Sequence, residues 1–160
     1  MKYEIRRMRE ADMSAVHAID HASFSLPWPE RSFRFEVTSN PAARCWVAEM
    51  DGQVVALLVI WMIVDEAHIA TIATHPDFRR QGIGEELLSH ALRQAVEEGA
   101  VRAFLEVRAG NEPARIMYRR MGFTEDGRRL HYYKDNGEDA ILMSVDLKQG
   151  YPLERSQDEP

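Results

Sequence analysis

A glutamate and a tyrosine toward the end of the chain are of the types that move protons in opposite directions. Glu106 stands in Leu105-Glu106-Val107-Arg108-Ala109-Gly110-Asn111, and Tyr118 in Met117-Tyr118-Arg119-Arg120-Met121-Gly122-Phe123. A carboxylate takes a proton and a phenol gives one, so the two form a candidate acid–base pair. Upstream, Arg79-Arg80-Gln81-Gly82-Ile83-Gly84 joins an apolar run to an amphipathic stretch. Its glycines let the backbone approach a ligand at positive φ. The helix expected to follow opens with unpaired N–H groups at the positive end of its dipole. A pyrophosphate placed there gains several hydrogen bonds at once, and Arg79 and Arg80 add charge. A phosphate loop together with proton-moving groups points to group transfer from a phosphate-bearing carrier. Each feature taken singly also has a structural reading: a surface turn, a solvated strand glutamate, a half-buried core aromatic.

Two other phosphate motifs do not fit. A P-loop continues with Gly-Lys-Ser/Thr, whereas Gly84 is followed by Glu85-Glu86. The dinucleotide fingerprint needs a small residue where Leu87 stands. No Gly-x-Ser-x-Gly occurs, so a serine hydrolase has no support.

The elements that position these groups follow from periodicity. Tyr3 to Met8 alternates weakly and reads as a first strand. Met13, Val16, Ile19 and Ala22 recur at helical spacing over 10–24. Leu26-Pro27-Trp28-Pro29 must break that helix, because proline fixes φ and removes a donor. A second helix is expected over 29–38, with Pro29 near its first turn. Strands are expected over 44–50 and 53–64, joined by the hairpin signal Asp51-Gly52. A further strand over 67–74 stops at His75-Pro76-Asp77. Leu87, Leu88, Ala91, Leu92 and Ala95 mark one face of a helix over 84–98, which Gly99 ends. A strand over 101–107, a short helix over 112–121 capped by Asn111, and strands over 123–133 and 139–147 follow. Glu106 thus lies late on a strand and Tyr118 in the next helix. Both can face a cleft at the strand's carboxyl end, where parallel units bind ligands. Successive strands predict an antiparallel half, and the strand–helix–strand units a parallel step in the middle. The class is α/β (α+β), with a mixed central sheet of about seven strands and four helices.

The chain has 160 residues, a formal net charge of −6 and a hydrophobic fraction of 45%. One domain over 1–147 is expected, with a polar tail over 148–160 that reads as disordered. The acidic balance speaks against nucleic-acid binding and mildly for a basic partner. The one cysteine, Cys45, rules out an internal disulfide and fits a reducing, cytoplasmic compartment. Its apolar setting reads as a buried structural thiol. The apolar run 54–64 falls short of the ~20 residues of a membrane helix. Met1-Lys2-Tyr3-Glu4-Ile5 lacks the apolar core of a signal peptide. His17, Asp20 and His21 share a helix, but nothing supplies a third ligand in the arrangement zinc sites use, so no metal is expected.

Arg79-Arg80-Gln81-Gly82-Ile83-Gly84 resembles the Arg/Gln-x-x-Gly-x-Gly/Ala signature of the GNAT superfamily of N-acetyltransferases. In that family the loop amides hold the pyrophosphate of acetyl-coenzyme A. The preceding Ile69-Ala70-Thr71-Ile72-Ala73-Thr74 is similar to the family's splayed central strand, whose backbone pairs with the pantetheine arm. The resemblance runs from Tyr3 to about Leu147, and it implies the GNAT fold with acetyl-coenzyme A as co-substrate. Acetylating an amine needs a neutral nucleophile, yet an α-amino group has a pKa of roughly 8 and a lysine about 10.4. A carboxylate can take that proton directly or through water. A phenol near the sulfur can protonate the leaving thiolate, and backbone N–H groups near Ala73 and Thr74 can stabilise the oxyanion.

A sharper resemblance joins Leu105-Glu106-Val107-Arg108, Asn111, Tyr118 and Gly122-Phe123 to the bacterial ribosomal-protein-alanine N-acetyltransferases. Arg128-Arg129-Leu130-His131-Tyr132-Tyr133 and Gly137-Glu138-Asp139-Ala140 extend it. It implies Glu106 as general base, Tyr118 as general acid and Asn111 as a contact to the coenzyme arm. It implies Ile72, Ala73 and Thr74 at the thioester and pantetheine. It implies Arg79, Arg80, Gln81, Gly82, Ile83, Gly84 and Glu85 as the pyrophosphate loop. Trp28, Tyr132 and Tyr133 are expected to shape the groove for an acceptor, a protein N-terminus such as a ribosomal-protein alanine. Three positions depart from the pattern: Thr74 replaces a common valine, Glu85 a basic or neutral residue, and Gly110 a common serine. Acetylation of a small amine or a lysine side chain, and a non-catalytic acetyl-coenzyme A module, are the alternatives.

Overall fold

Asp51 and Gly52 both hold positive φ, 51° and 80°. They join β2 (Ala43–Met50) to β3 (Gln53–Ile63) as the tight hairpin the sequence predicts. In the computed structural model, which describes residues 3–148, this hairpin belongs to a seven-stranded sheet of order β1-β2-β3-β4-β5-β7-β6. The other strands are β1 (Glu4–Arg7), β4 (Glu66–Thr74), β5 (Arg102–Arg108), β6 (Thr124–Arg129) and β7 (Ala140–Asp146). The described residues hold four α-helices: α1 (Met13–Ser23), α2 (Glu30–Thr38), α3 (Ile83–Glu97) and α4 (Glu112–Arg120). The mixed sheet, the helices and their order are those expected. The expected tail lies, past Lys148, outside the described residues.

Element ends differ where local geometry overrides pattern. The apolar run stops at Ile63, because Val64 turns at a φ of 57° and is 95% exposed. The strand expected to reach Tyr133 ends at Arg129, and His131 takes a φ of 52° in the turn that follows. The first helix begins at Met13, after a short 3-10 turn over Glu10–Asp12. There the Asp12 carboxylate accepts the Arg9 N–H at 2.7 Å and the two arms of Arg6 at 2.8 and 2.9 Å.

The parallel step is the pair β4/β5, which aligns Glu66↔Arg102, Ala67↔Ala103 and His68↔Phe104. The second strand–helix–strand unit is not a neighbouring pair. β7 enters between β5 and β6, antiparallel to both. From Leu105 to Arg108, β5 pairs with Met143 to Ala140 of β7.

The chain packs as two units, one reaching to Met62 and including Ala70–Ala91, the other Ile63–Ile69 with the residues from Leu92 on. In the first, Val16, Ile19 and Phe33 of the helices cluster with Cys45, Val47 and Leu57 of the strands. Burial pushes the Cys45 thiol up to about 12, as befits a structural thiol. In the second, β5 alternates: Ala103, Leu105 and Val107 are buried, while Arg102 and Glu106 are exposed. A fully buried leucine or valine contributes ~1.5–3 kcal/mol. A one-residue slip would expose both and bury the Glu106 carboxylate instead, so the alternation fixes the face on which Glu106 stands.

Candidate active site

The glycine-rich loop is built between the end of β4 and the start of α3. His75 accepts the Asp77 N–H at 3.0 Å and caps a short turn over Pro76–Phe78. Arg80 and Gly82 then take positive φ, 65° and 79°. The Glu86 N–H bonds the Gly82 carbonyl at 3.0 Å. The amides from Gly82 to Glu85 therefore precede the intrahelical ladder, at the positive end of a 15-residue helix. A Cβ on Gly82 would meet nothing within 4 Å, whereas one on Gly84 would lie 3.3 Å from Thr74 Oγ1. Gly82 thus faces open space, and Gly84 lets the helix start sit against the last residue of β4. Arg79 donates from Nε to the Thr74 carbonyl at 3.0 Å and from Nη2 to Ser23 Oγ at 3.1 Å. It braces the loop against the end of α1. Arg80 and Gln81 are exposed, Ile83 is buried, and Glu85 is half-buried. Ala73 is buried, with Ile72 and Thr74 half-buried beside it. Helix-start amides, a positive-φ turn and open space above Gly82 make a cradle that an anionic group can enter.

Glu106 is met by the last residue of β6 and by residues that follow it. Arg129 Nε lies 3.2 Å from its Oε2. The Tyr132 phenol hydrogen-bonds the same carboxylate, and the nearby negative charge raises the Tyr132 pKa. Tyr133 packs edge-on against Tyr132, with ring centroids 5.1 Å apart. Burial first, and then the charge of Glu106, push the Tyr133 phenol up to about 12. Arg108 stacks over Tyr133 with its Cζ 4.0 Å from the ring centre. That guanidinium also bonds Asp135 at 2.9 Å and Glu138 at 3.3 Å, which ties the turn after β6 to the end of β5. Glu138 completes the tie by accepting the Gly110 N–H at 2.6 Å. This bond and the Arg108 contact hold the Glu138 carboxyl below its ordinary range.

Tyr118 is 5% exposed, more deeply buried than its sequence suggests, and its ring lies 5.8 Å from Phe123. Burial, with Tyr133 nearby, holds its phenol above the ordinary value and keeps it protonated. Asn111 Oδ1 accepts the Ala114 N–H at 3.3 Å and caps α4, so the amide nitrogen is the end of that side chain left for a ligand.

Trp28 belongs to the other unit. Its ring lies 4.9 Å from Phe33 and 6.4 Å from Trp61, and its main-chain N–H donates to Asp20 Oδ2 at 2.7 Å. Asp20 of the histidine-flanked motif is thus turned to the backbone, with 1% exposure. Among the described residues no three or more His, Cys, Asp or Glu are grouped to hold a metal ion.

The structure therefore brings Glu106, Tyr132 and Tyr133 together and sets Tyr133 beside Tyr118. Arg129, Arg108 and Glu138 escaped the sequence reading as functional residues. Arg108 lies two positions after Glu106, a spacing that puts both on one strand face and could have drawn attention to it.

Comparison with known proteins finds similarity along most of the chain. A Bacillus subtilis (strain 168) protein, provisionally named a [ribosomal protein bS18]-alanine N-acetyltransferase, is 40% identical over 148 residues, covering 92% of this chain and 98% of its own length. The Escherichia coli (strain K12) protein named [ribosomal protein bS18]-alanine N-acetyltransferase is 33% identical over 147 residues, covering 89% and 97%. The crystal structure of the Escherichia coli ribosomal-protein-S18-alanine N-acetyltransferase superposes with a TM-score of 0.84 at 31% identity, covering 91% of this chain and 94% of that one. The acetyltransferase (GNAT) family profile matches residues 13–123, a span that holds the amide-lined loop, Glu106 and Tyr118, and the chain is an acetyltransferase of the GNAT family.

Proposed function

We propose that this enzyme moves an acetyl group from acetyl-coenzyme A to the α-amino group of a protein N-terminus, with a ribosomal-protein alanine as acceptor, in the cytoplasm. The observation that carries the reading is similarity along almost the whole of both chains to a relative named for that reaction, at 40% identity. The exposed Glu106 carboxylate with the Tyr132 phenol upon it supports the reading. So does the amide-lined loop at the start of α3.

Acetyl-coenzyme A supplies the acetyl thioester. In the proposed mechanism the amides of Gly82 to Glu85 bind the pyrophosphate, while the backbone at Ile72, Ala73 and Thr74 pairs with the pantetheine. Asn111 contacts the arm through its amide nitrogen. Glu106 removes a proton from the acceptor ammonium, directly or through water, and the neutral nitrogen attacks the thioester carbon. As the carbon–sulfur bond breaks, Tyr118 gives its proton to the thiolate, and its raised pKa keeps that proton in place until then; the second proton that the new amide nitrogen sheds restores the phenol. Trp28, Tyr132 and Tyr133 shape the acceptor groove. No helix among the described residues is long and apolar enough to cross a membrane.

A thiol-release assay with peptides that differ in their first residue, small amines and internal lysine peptides tests the reading. Turnover of alanine-starting peptides is expected. Turnover confined to small amines or lysine peptides transfers the assignment to the alternative acceptors, and binding without release removes it. Mass spectrometry of protein N-termini with and without the enzyme identifies the acceptor.

A further inference from the structure

We propose that Arg129 is the resident counter-ion of Glu106 and that the acceptor's terminal ammonium must displace it. Arg129 would then be a positioning residue that sets acceptor affinity. The inference deepens the proposed function and rests on it.

Of the three arginines at the C-terminal ends of β5 and β6, two are held elsewhere. Arg108 is bonded to Asp135 at 2.9 Å and Glu138 at 3.3 Å. Arg128 bonds Asp139 at 2.8 Å. Arg129 alone of the three pairs with Glu106, Nε to Oε2 at 3.2 Å. Its Cζ also lies 5.7 Å from the Tyr132 ring centre, so the two side chains approach the carboxylate together. A guanidinium holds its proton above pH 12. It can sit on Glu106 but cannot feed it a proton, as an α-ammonium with a pKa near 8 can. A general base must reach the proton it takes to about 2.6–3.2 Å, and Arg129 occupies that range at Oε2.

Displacement is physically easy. The side chains of Arg129 and Glu106 are 56% and 35% exposed, and all of β6 is exposed at the end of the sheet. The guanidinium can swing into water, and the incoming ammonium restores the lost charge. An exposed pair of this kind biases an equilibrium by at most about fivefold, enough to tune affinity without blocking turnover.

The test is steady-state kinetics of wild type, Arg129→Gln and Arg129→Lys with an alanine-starting hexapeptide at saturating acetyl-coenzyme A. The KM for the peptide is expected to fall about two- to fivefold in Arg129→Gln. Turnover number and the KM for acetyl-coenzyme A should change little. Arg129→Lys, which keeps a cation at Glu106, should stay near the wild-type value. A peptide KM that rises or does not move in Arg129→Gln overturns the inference, as does a lysine variant that behaves like the glutamine one. Wild type that acetylates no α-amine peptide defeats the proposed function and the inference with it, so the two failures are distinct. One measurement needs no variant: the Arg129 Nε–Hε NMR signal of the wild type in coenzyme A, titrated with the same peptide. It should shift as the ion pair opens, and an unchanged signal at saturating peptide overturns the inference.

Discussion

Asp20 accepts the main-chain N–H of Trp28 with one carboxylate oxygen at 2.7 Å, while its other oxygen is buried without a hydrogen-bond partner. Burial holds the folded carboxyl above its ordinary value of 3.8. Between that value and the folded pKa the native state binds more protons than the unfolded chain. Stability therefore falls as pH rises through that window, and the loss is complete above the folded pKa. Asparagine keeps an acceptor for Trp28 and carries no charge. Asp20→Asn is expected to raise Tm at pH 7 and to change it little at pH 3, as thermal scans will show. Asp20→Ala removes the acceptor and should cost about 1–3 kcal/mol.

Glu106→Gln keeps the size of the side chain and removes the base. Turnover is expected to fall about 10²–10⁴-fold, with acetyl-coenzyme A affinity nearly intact by calorimetry. Near-wild-type turnover would end its assignment as the base.

Tyr118→Phe removes the phenolic proton without opening a ring-sized hole. The turnover number should drop about 10–100-fold, at or below the lower edge of what a positioned acid supplies, while coenzyme binding holds. A drop in coenzyme affinity with unchanged turnover would instead make Tyr118 a binding residue.

Gly82 holds a φ of 79° with open space where a Cβ would be. Gly82→Ala therefore meets a backbone penalty of about 1–2 kcal/mol and no clash. Acetyl-coenzyme A should bind about five- to thirtyfold more weakly if the penalty falls on the binding conformation. The KM for peptide serves as the control that should move less.

Trp28 has two tasks to separate. Its stacking on Phe33 and Trp61 means that Trp28→Ala should lower stability by about 2–4 kcal/mol. If it also shapes the acceptor groove, the peptide KM should rise more than the KM for acetyl-coenzyme A. Equal effects on both, measured well below the variant's Tm, would leave it a packing residue only.

What the sequence disclosed was mostly local. The Asp51-Gly52 hairpin, the alternation of Ala103, Leu105 and Val107 against Glu106, and the Asn111 cap each depend on neighbours within a few positions. The Arg129–Glu106 pair depends on distant registers. It requires β7 to enter between β5 and β6, which sets Ala140 opposite both Arg108 and Arg129. It also requires β6 to end at Arg129 so that Tyr132 and Tyr133 can turn back. No spacing within the chain announces such an insertion. The deep burial of Tyr118 was equally hidden, since an amphipathic four-residue rhythm does not distinguish a half-covered face from a closed one.

Gly110 and Glu138 carry a consequence for how this sequence can vary. A Cβ at position 110 would lie 2.7 Å from Glu138 Oε2. That oxygen is the far end of a flexible side chain, so a larger residue there asks the carboxylate to swing rather than the backbone to move. Glu138 ties the turn bearing Tyr132 and Tyr133 to the end of β5, and such a swing slackens that tie. Position 110 therefore acts as a tension screw for the aromatic turn without touching either tyrosine.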